Sequence, residues 1–355
     1  MWIRVDPVGY GPSRSMTSLL SQVKAQPTAI ATLERALTHG RVHHAYLFDG
    51  PDGVGKELAA FGLAQALVCE RREGGPTACG ECSACKRVLP RAGGSAAAAD
   101  IQRGRPVHPD VMVLERGLYE PAQIGRRTPE ATELSIDQVR TLVLARAAFP
   151  PHEGRAKVFI VRRADELSIS AANALLKTLE EPGKGTHFVL LCSKPDTLLP
   201  TIRSRTLRVR FAPLPDAVVA ELLTERNVDG DAARTMASLA NGSMAAALAL
   251  ADPDENGKRQ QFVEKALAAL DSPDMGAALE LGEEAKKNKD SLEVSLFAFA
   301  VRLAERARAA AADGDRQADV AAARYALALQ AARDVDANAS AQLAVESMMV
   351  RMRSV

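Results

Sequence analysis

The feature that most constrains this chain is a glycine-rich loop set between an apolar run and a helical pattern. The loop is Gly50-Pro51-Asp52-Gly53-Val54-Gly55-Lys56-Glu57, with Ala45-Tyr46-Leu47-Phe48 before it and a helical pattern from Leu58 to Val68 after it. In the pattern G-x4-G-K-[S/T], backbone N–H groups and the lysine hold phosphates and the hydroxyl binds Mg²⁺. The order of strand, loop and helix therefore predicts a P-loop α/β fold.

The last loop position departs from the pattern, because Glu57 stands where the hydroxyl should be. A carboxylate does not reproduce the geometry of the hydroxyl, and it repels phosphate. The candidate nucleotide-binding residues of this degenerate loop are Gly50, Gly53, Gly55, Lys56 and Glu57. The sequence leaves binding of ATP or ADP open, since a lysine at a helix N-terminus still attracts phosphate. We do not expect Mg²⁺.

A second apolar run, Val158 to Val161, ends in Arg162-Arg163. Hydrolysis of a nucleotide requires an acidic residue at the end of such a strand to hold Mg²⁺. Asp165-Glu166 comes too late in the chain to take that place, and arginines do not bind metal ions. With Glu57, this predicts weak or absent ATPase activity in this chain.

The order of patterns along the 355 residues predicts several domains. Apolar runs such as Val158–Val161 and Phe188–Leu191 alternate with helical patterns up to Phe211, as in a parallel α/β sheet. From Pro213 to the end every clear pattern is helical. We expect a disordered extension (1–15), a P-loop domain (16–211) with a long surface insertion (about 91–133), a helical lid (212–254) and a helical collar domain (255–355).

Four cysteines follow the P-loop helix in the spacing C-x9-C-x2-C-x2-C: Cys69, Cys79, Cys82 and Cys85. Four thiolates in a short, turn-rich loop suit one tetrahedral structural Zn²⁺ ion, so the module 69–85 is a predicted metal site. Cys192 lies alone in an apolar run and is expected to be a small core residue. The absence of a signal pattern and the reduced thiols favour a cytoplasmic protein.

Overall composition excludes some functions. Hydrophobic residues make up 47% and charged residues 25% of the chain, and the formal net charge is +1. Such a balance is typical of globular proteins and gives no broad positive field for coating DNA. No apolar run is long enough for a membrane span, so no membrane partner is expected.

An arginine-rich segment follows the turn Leu198-Leu199-Pro200, where Arg203, Arg205, Arg208 and Arg210 alternate in part with apolar residues. For Arg208 and Arg210 we favour a solvated edge strand. Arg205 has a more specific interpretation, which depends on a family comparison.

The chain resembles the delta-prime subunits of bacterial DNA polymerase III clamp loaders from about Ser21 to Val355, apart from the insertion. The residues that carry the resemblance are the P-loop with His44-Ala45-Tyr46-Leu47-Phe48, the four cysteines, His108-Pro109-Asp110, Ala171-Ala172-Asn173-Ala174-Leu175-Leu176-Lys177-Thr178-Leu179-Glu180-Glu181-Pro182, Leu198-Leu199-Pro200-Thr201-Ile202-Arg203-Ser204-Arg205, Asp336-Ala337-Asn338 and Leu343-Ala344-Val345-Glu346. The long central motif is highly specific, whereas a P-loop alone is not.

The resemblance implies an AAA+ domain, a lid and a collar, in a hetero-pentameric ring with gamma/tau and delta subunits at the replication forks of a bacterial nucleoid. It implies ATP-driven loading of a sliding clamp onto primer–template DNA. In this family a Ser-Arg-Cys motif offers its arginine to ATP in the neighbouring subunit. Ser204 and Arg205 match that motif and Thr206 replaces the cysteine, so Arg205 is the candidate arginine finger.

Two alternatives have less support. An ATP-hydrolysing gamma/tau-like subunit should carry acidic residues where Arg162-Arg163 stands and an arginine after Gly242-Ser243, where the chain has Ala245. A sequence-specific DNA-binding protein is supported by the arginine segment alone, and the near-zero net charge argues against it. Lys56 and the intact glycines keep the first alternative open.

Overall fold

The computed structural model describes residues 18–71, 77–89, 105–128, 133–251, 253–272, 274–312, 317–336 and 339–355. These residues form two compact units, one that ends at Val218 and one that begins at Val219. The predicted disordered extension 1–15 lies outside the described residues. None of the helices that can be described is both long and apolar enough to span a membrane.

The N-terminal unit is built on a parallel sheet, which in the described part of the chain has the order β2-β3-β4-β1-β5. Its strands are β1 (Ala45–Asp49), β2 (Val111–Leu114), β3 (Lys157–Val161), β4 (Thr186–Cys192) and β5 (Leu207–Arg210). Every residue of β1 and β3 is buried, because helices cover both faces of such a sheet. The strands predicted at 45–48, 158–161 and 188–191 are confirmed.

The helices of this unit are α1 (Pro27–Thr38), α2 (Lys56–Val68), α3 (Ser83–Val88), α4 (Ile136–Val139, continued by a π-helical segment Arg140–Leu144 and a last α-helical stretch Ala145–Ala147), α5 (Ile169–Glu180) and α6 (Pro200–Arg203). Short 3-10 helices lie at Leu19–Gln22, Pro121–Ile124, Ala164–Glu166 and Pro195–Thr197. Ser168 is the N-cap of helix α5, and its side chain accepts a hydrogen bond from the N–H of Ala171.

The prediction of a surface insertion over residues 91–133 is wrong for its central part. Val111–Leu114 is strand β2, which pairs with β3 in register from Val111 opposite Val158 to Leu114 opposite Val161. The four-residue apolar run is short and follows a stretch rich in Gly, Ala and Pro, so its pattern was too weak to indicate a strand. Residues 90–104 and 129–132 lie outside the described residues.

The C-terminal unit is helical, as predicted. Its helices are α7 (Asp216–Thr224), α8 (Gly230–Leu239), α9 (Met244–Ala251), α10 (Pro253–Asp271), α11 (Gly276–Lys287), α12 (Lys289–Ala312), α13 (Gln317–Asp336) and α14 (Ala341–Arg353). The predicted boundary between lid and collar, at 254/255, falls inside α10. Pro253 is the first residue of that helix, a position where proline is tolerated because no N–H is needed.

The predicted α/β class is confirmed: a P-loop domain with a parallel sheet, followed by helices alone. Its AAA+ type remains a prediction. The division at Val218/Val219 lies a few residues beyond the predicted end of the P-loop domain at Phe211. A separate lid and collar remain a prediction.

Candidate functional site

The P-loop keeps its backbone geometry at the carboxyl end of β1. Gly55 has a φ of 98° and forms the N-cap of α2, a left-handed conformation that favours glycine. A Cβ atom on Gly50 would lie 2.2 Å from the carbonyl oxygen of Phe211, so the loop also needs glycine where the chain passes the end of β5. Gly50 and Gly55 therefore occupy positions that favour glycine, and phosphate binding by this loop remains a prediction.

The lysine of the loop is bound to the loop itself. Lys56 is 6% exposed, and its Nζ donates to the carbonyl oxygen of Pro51 at 2.7 Å and to that of Gly50. Its third neighbour is a carboxylate oxygen of Asp52 at 3.4 Å. An ammonium group has three N–H donors, so a phosphate that approaches this lysine must compete with its present partners.

The position of the missing hydroxyl is part of an ion-pair bridge. Arg162, directly after β3, donates through Nη2 to Glu57 and through Nη1 to Glu115 Oε2 at 2.7 Å. Glu115 directly follows β2, so the bridge joins the ends of two neighbouring strands to the first turn of α2. The Arg162 side chain is only 12% exposed, and its guanidinium lies 5.8 Å from the centre of the Phe61 ring.

This bridge does not fit a metal site. Burial alone would lower the pKa of Arg162, but the charges of Glu57 and Glu115 outweigh it and raise the pKa, so the guanidinium stays protonated. A guanidinium has no lone pair to offer a metal ion. Around the loop, Lys56 and Arg162 contact three carboxylates, those of Asp52, Glu57 and Glu115, and each of these carboxylates repels phosphate.

The acidic residues after Arg162 do not replace the missing ligand. Glu166 pairs with Arg116 at 2.9 Å and with Arg163 at 2.8 Å, and Asp165 accepts a hydrogen bond from Ser193 at 3.4 Å. Ala245, at the predicted lid position of an arginine, lies in the first turn of α9.

The four predicted cysteines come together in space. Their Sγ atoms all lie within 4.8 Å of one another, with Cys69 to Cys79 at 3.6 Å and Cys79 to Cys85 at 3.9 Å. A tetrahedral ion with Zn–S bonds of about 2.3 Å would separate its sulfur ligands by about 3.8 Å. The donor set therefore fits zinc in both chemistry and spacing.

Local structure supports the cysteine cluster. Burial raises the pKa of the Cys69 and Cys85 thiols. Burial also raises the pKa of Cys79, but hydrogen bonds from the backbone N–H groups of Cys82 and Glu81 outweigh this and lower the pKa to about 7. Cys82 is also the N-cap of α3, where its sulfur accepts from the N–H of Cys85. Cys192 lies apart in β4 and is buried, as predicted.

Arg205 lies at the amino ends of the parallel strands, whereas the P-loop lies at their carboxyl ends. It precedes β5, whose Leu207 is paired with Tyr46 near the start of β1, whereas the loop begins at Gly50 after the end of β1. At about 3.3 Å per residue, roughly 13 Å of strand separates Leu207 from Gly50. The structure therefore does not bring Arg205 and the P-loop of the same chain together.

Arg205 makes its contacts at the amino ends of the strands. Its Nε donates to Glu180 Oε1 at 2.6 Å, and its Nη1 donates to the Thr201 carbonyl oxygen at 3.0 Å and to Ser204 Oγ at 3.3 Å. The side chain is 33% exposed. Glu180 was not singled out as a site residue from the sequence, because ion pairing across 25 residues leaves no local pattern.

The other arginines of the segment differ from one another. Arg210 is 74% exposed and fits the predicted solvated edge strand. Arg208 instead donates through Nε to the buried carboxylate of Asp49 at 2.7 Å, so it fastens the edge strand β5 to the end of β1. The solvated interpretation is thus incomplete for Arg208.

Comparison with known proteins agrees with the predicted family. Residues 25–215 match the family model described as "DNA polymerase III, delta subunit". DNA polymerase III subunit delta' of Bacillus subtilis is 33% identical over 247 residues, which cover 69% of this chain and 65% of that protein. The corresponding subunit of Pseudomonas aeruginosa is 36% identical over 226 residues, 62% of this chain and 60% of that protein.

Subunits named gamma/tau are similar as well. The subunit of Mycobacterium tuberculosis strain H37Rv is 36% identical over 205 residues, 57% of this chain and 30% of that protein. The chain thus spans less than two thirds of the length of each of these relatives. Because the family model matches more than half of its residues, the chain belongs to the DNA polymerase III delta-subunit family.

Proposed function

We propose that this chain is a non-motor subunit of the DNA polymerase III clamp loader, which offers Arg205 to the nucleotide of a neighbouring subunit. The observation that carries the proposal is that Arg205 lies at the amino ends of the strands, whereas the P-loop of the same chain lies at their carboxyl ends. An arginine in that position reaches a phosphate only if another subunit presents it. An arginine finger stabilises the charge that develops on the transferred phosphoryl group.

The bridge at the P-loop supports the other half of the proposal. Arg162 takes the position at the end of β3 that a Mg²⁺-binding acid would need, and Glu57 is committed to it. The chain therefore contributes little ATP turnover of its own. In the proposed ring the gamma/tau and delta subunits are its partners, and the sliding clamp and primer–template DNA are reached through the complex.

The test is to reconstitute the loader with the Arg205→Ala chain and to measure DNA-stimulated ATP hydrolysis and clamp loading. Turnover at the neighbouring site should fall by about 10³-fold or more. Arg203→Ala is the matched control, since Arg203 pairs with Asp196 at 3.0 Å in the same short segment. If the two variants load clamps equally well, the finger assignment is wrong.

A second candidate function is a gamma/tau-like ATPase, favoured by the similarity to gamma/tau subunits. It predicts steady ATP turnover by the isolated chain that Lys56→Ala abolishes. We expect no turnover above that of the Lys56→Ala variant, because the hydroxyl and the acid of a Mg²⁺ site are both replaced.

We also propose that Cys69, Cys79, Cys82 and Cys85 hold one structural Zn²⁺ ion. Their Sγ atoms lie within 4.8 Å of one another, and α3 begins inside the module. Zinc bound there would fasten α3 to the end of α2. Its contribution would be to folding, since four thiolates leave no open position for chemistry.

A further inference from the structure

The guanidinium of Arg205 is held on several sides before any partner arrives. Its Nε and Nη2 both donate to Glu180 Oε1, and its Nη1 donates to Thr201 and Ser204. Glu180 is the last residue of α5 and Arg205 follows α6, so the ion pair joins the ends of two helices. Both helix ends lie at the amino ends of the parallel strands.

The pattern of these bonds leaves one edge of the guanidinium for a ligand. The group has five N–H donors, one on Nε and two on each Nη atom. Glu180 holds the side formed by Nε and Nη2. The outer edge consists of the remaining Nη2 proton and the Nη1 proton directed at Ser204 Oγ, whose 3.3 Å contact is the longer of the two that Nη1 makes and would be exchanged for a phosphate oxygen. Such a fork fits two oxygens of one phosphate group, and the exposed third of the side chain allows access.

We propose that Glu180 is the positioning residue of the finger: it fixes the Arg205 guanidinium so that the Nη1–Nη2 edge points toward the phosphates of the neighbouring nucleotide. A free arginine side chain populates many rotamers and loses this freedom when it binds a ligand. The ion pair restricts this freedom before the subunits meet, so less ordering remains for the reaction. This inference rests on the proposed finger role of Arg205.

The test uses loaders reconstituted with Glu180→Ala, Arg205→Ala or both substitutions. Hydrolysis is followed through a single turnover at saturating ATP and at steady state over a range of ATP concentrations. Glu180→Ala should slow hydrolysis at the neighbouring site on the order of 10- to 100-fold, the loss typical of a misplaced catalytic group. The KM for ATP should stay the same, because the P-loop of the neighbour still binds the nucleotide. In the double variant the rate should equal that of Arg205→Ala.

Two further variants guard against a purely structural effect. Glu181→Ala removes the same charge one residue along the chain and should leave the rate unchanged. Glu180→Gln keeps an oxygen acceptor and should recover part of the rate, and it keeps the test usable if Glu180→Ala does not assemble.

The outcomes separate this inference from the proposed function. If Arg205→Ala slows hydrolysis and Glu180→Ala does not, the positioning role is wrong while the finger stands. A Glu180 effect that persists undiminished in the Arg205→Ala chain also overturns it, because the residue would then act independently. If Arg205→Ala itself changes nothing, the proposed function fails.

Discussion

Replacing Arg162 by methionine should destabilise the N-terminal unit more than the loss of an exposed ion pair would. Methionine keeps an unbranched side chain but removes the guanidinium that lies near the Phe61 ring, and it leaves Glu57 and Glu115 without their shared cation. Removing one partner of a fully buried ion pair costs about 3–5 kcal/mol, whereas exposed pairs contribute about 0–1 kcal/mol. Arg162 is 12% exposed but its partners are 47% and 32% exposed, so we expect a loss of about 2–3 kcal/mol.

The assay is hydrogen exchange of the backbone amides of β2 and β3 in the full-length chain, which reports the opening of the sheet where the bridge lies. The matched control is Arg163→Met, next in the chain, whose side chain is 52% exposed and pairs with Glu166. It should cost less than about 1 kcal/mol. Raising the salt concentration to about 1 M should narrow the gap, because repulsion between the carboxylates is then screened.

Equal protection of β2 and β3 in the two variants would refute this reasoning. It would mean that the bridge is an incidental surface contact. The interpretation of the P-loop as a site closed by an internal cation would then lose its energetic support.

Three further predictions concern the P-loop, the cysteines and the loop before β3. Glu57→Thr combined with Arg162→Asp restores the residue types of a Mg²⁺ site, so calorimetry should show MgATP binding at least about tenfold tighter than in the parent chain; equal affinities would contradict this. Elemental analysis should find about one zinc per chain, which Cys79→Ser should lose and Cys192→Ser should keep; equal retention would contradict the site. Asp110→Asn should lower the free energy of unfolding by about 2 kcal/mol at neutral pH, because the carboxylate accepts three backbone N–H bonds. Burial raises the pKa of Asp110, but those N–H groups outweigh it and hold the pKa below its usual value. The contribution is therefore lost as the pH falls below about 4, and urea titrations at pH 7 and pH 3 should show the difference shrink.

The amino-acid sequence was sufficient to predict the features that depend on local patterns. Continuous apolar runs located β1, β3 and β4, and the cysteine spacing located a cluster whose sulfur atoms do meet. Each of these features is formed by residues that lie close together in the chain.

The features that the sequence did not predict depend on contacts between distant residues. The bridge from Arg162 to Glu57 spans 105 positions, and the bond from Arg208 to Asp49 spans 159. The sequence shows that Arg162 is unsuited to bind a metal ion, but it does not show that Arg162 pairs with Glu57. Strand β2 is not predicted from the sequence, because a run of four apolar residues is too short to show the periodicity of a strand.

In the proposed loader, the Arg205 guanidinium of this chain contacts ATP bound to a neighbouring subunit, and this chain hydrolyses little ATP itself. The most direct measurement is the rate of phosphate release in the first turnover of a loader that carries either the parent chain or Arg205→Lys. Lysine keeps the charge but loses the two-pronged geometry of the guanidinium. With the lysine variant we expect a slow phase at one site and unchanged ATP binding. Identical release traces for the two loaders would contradict it.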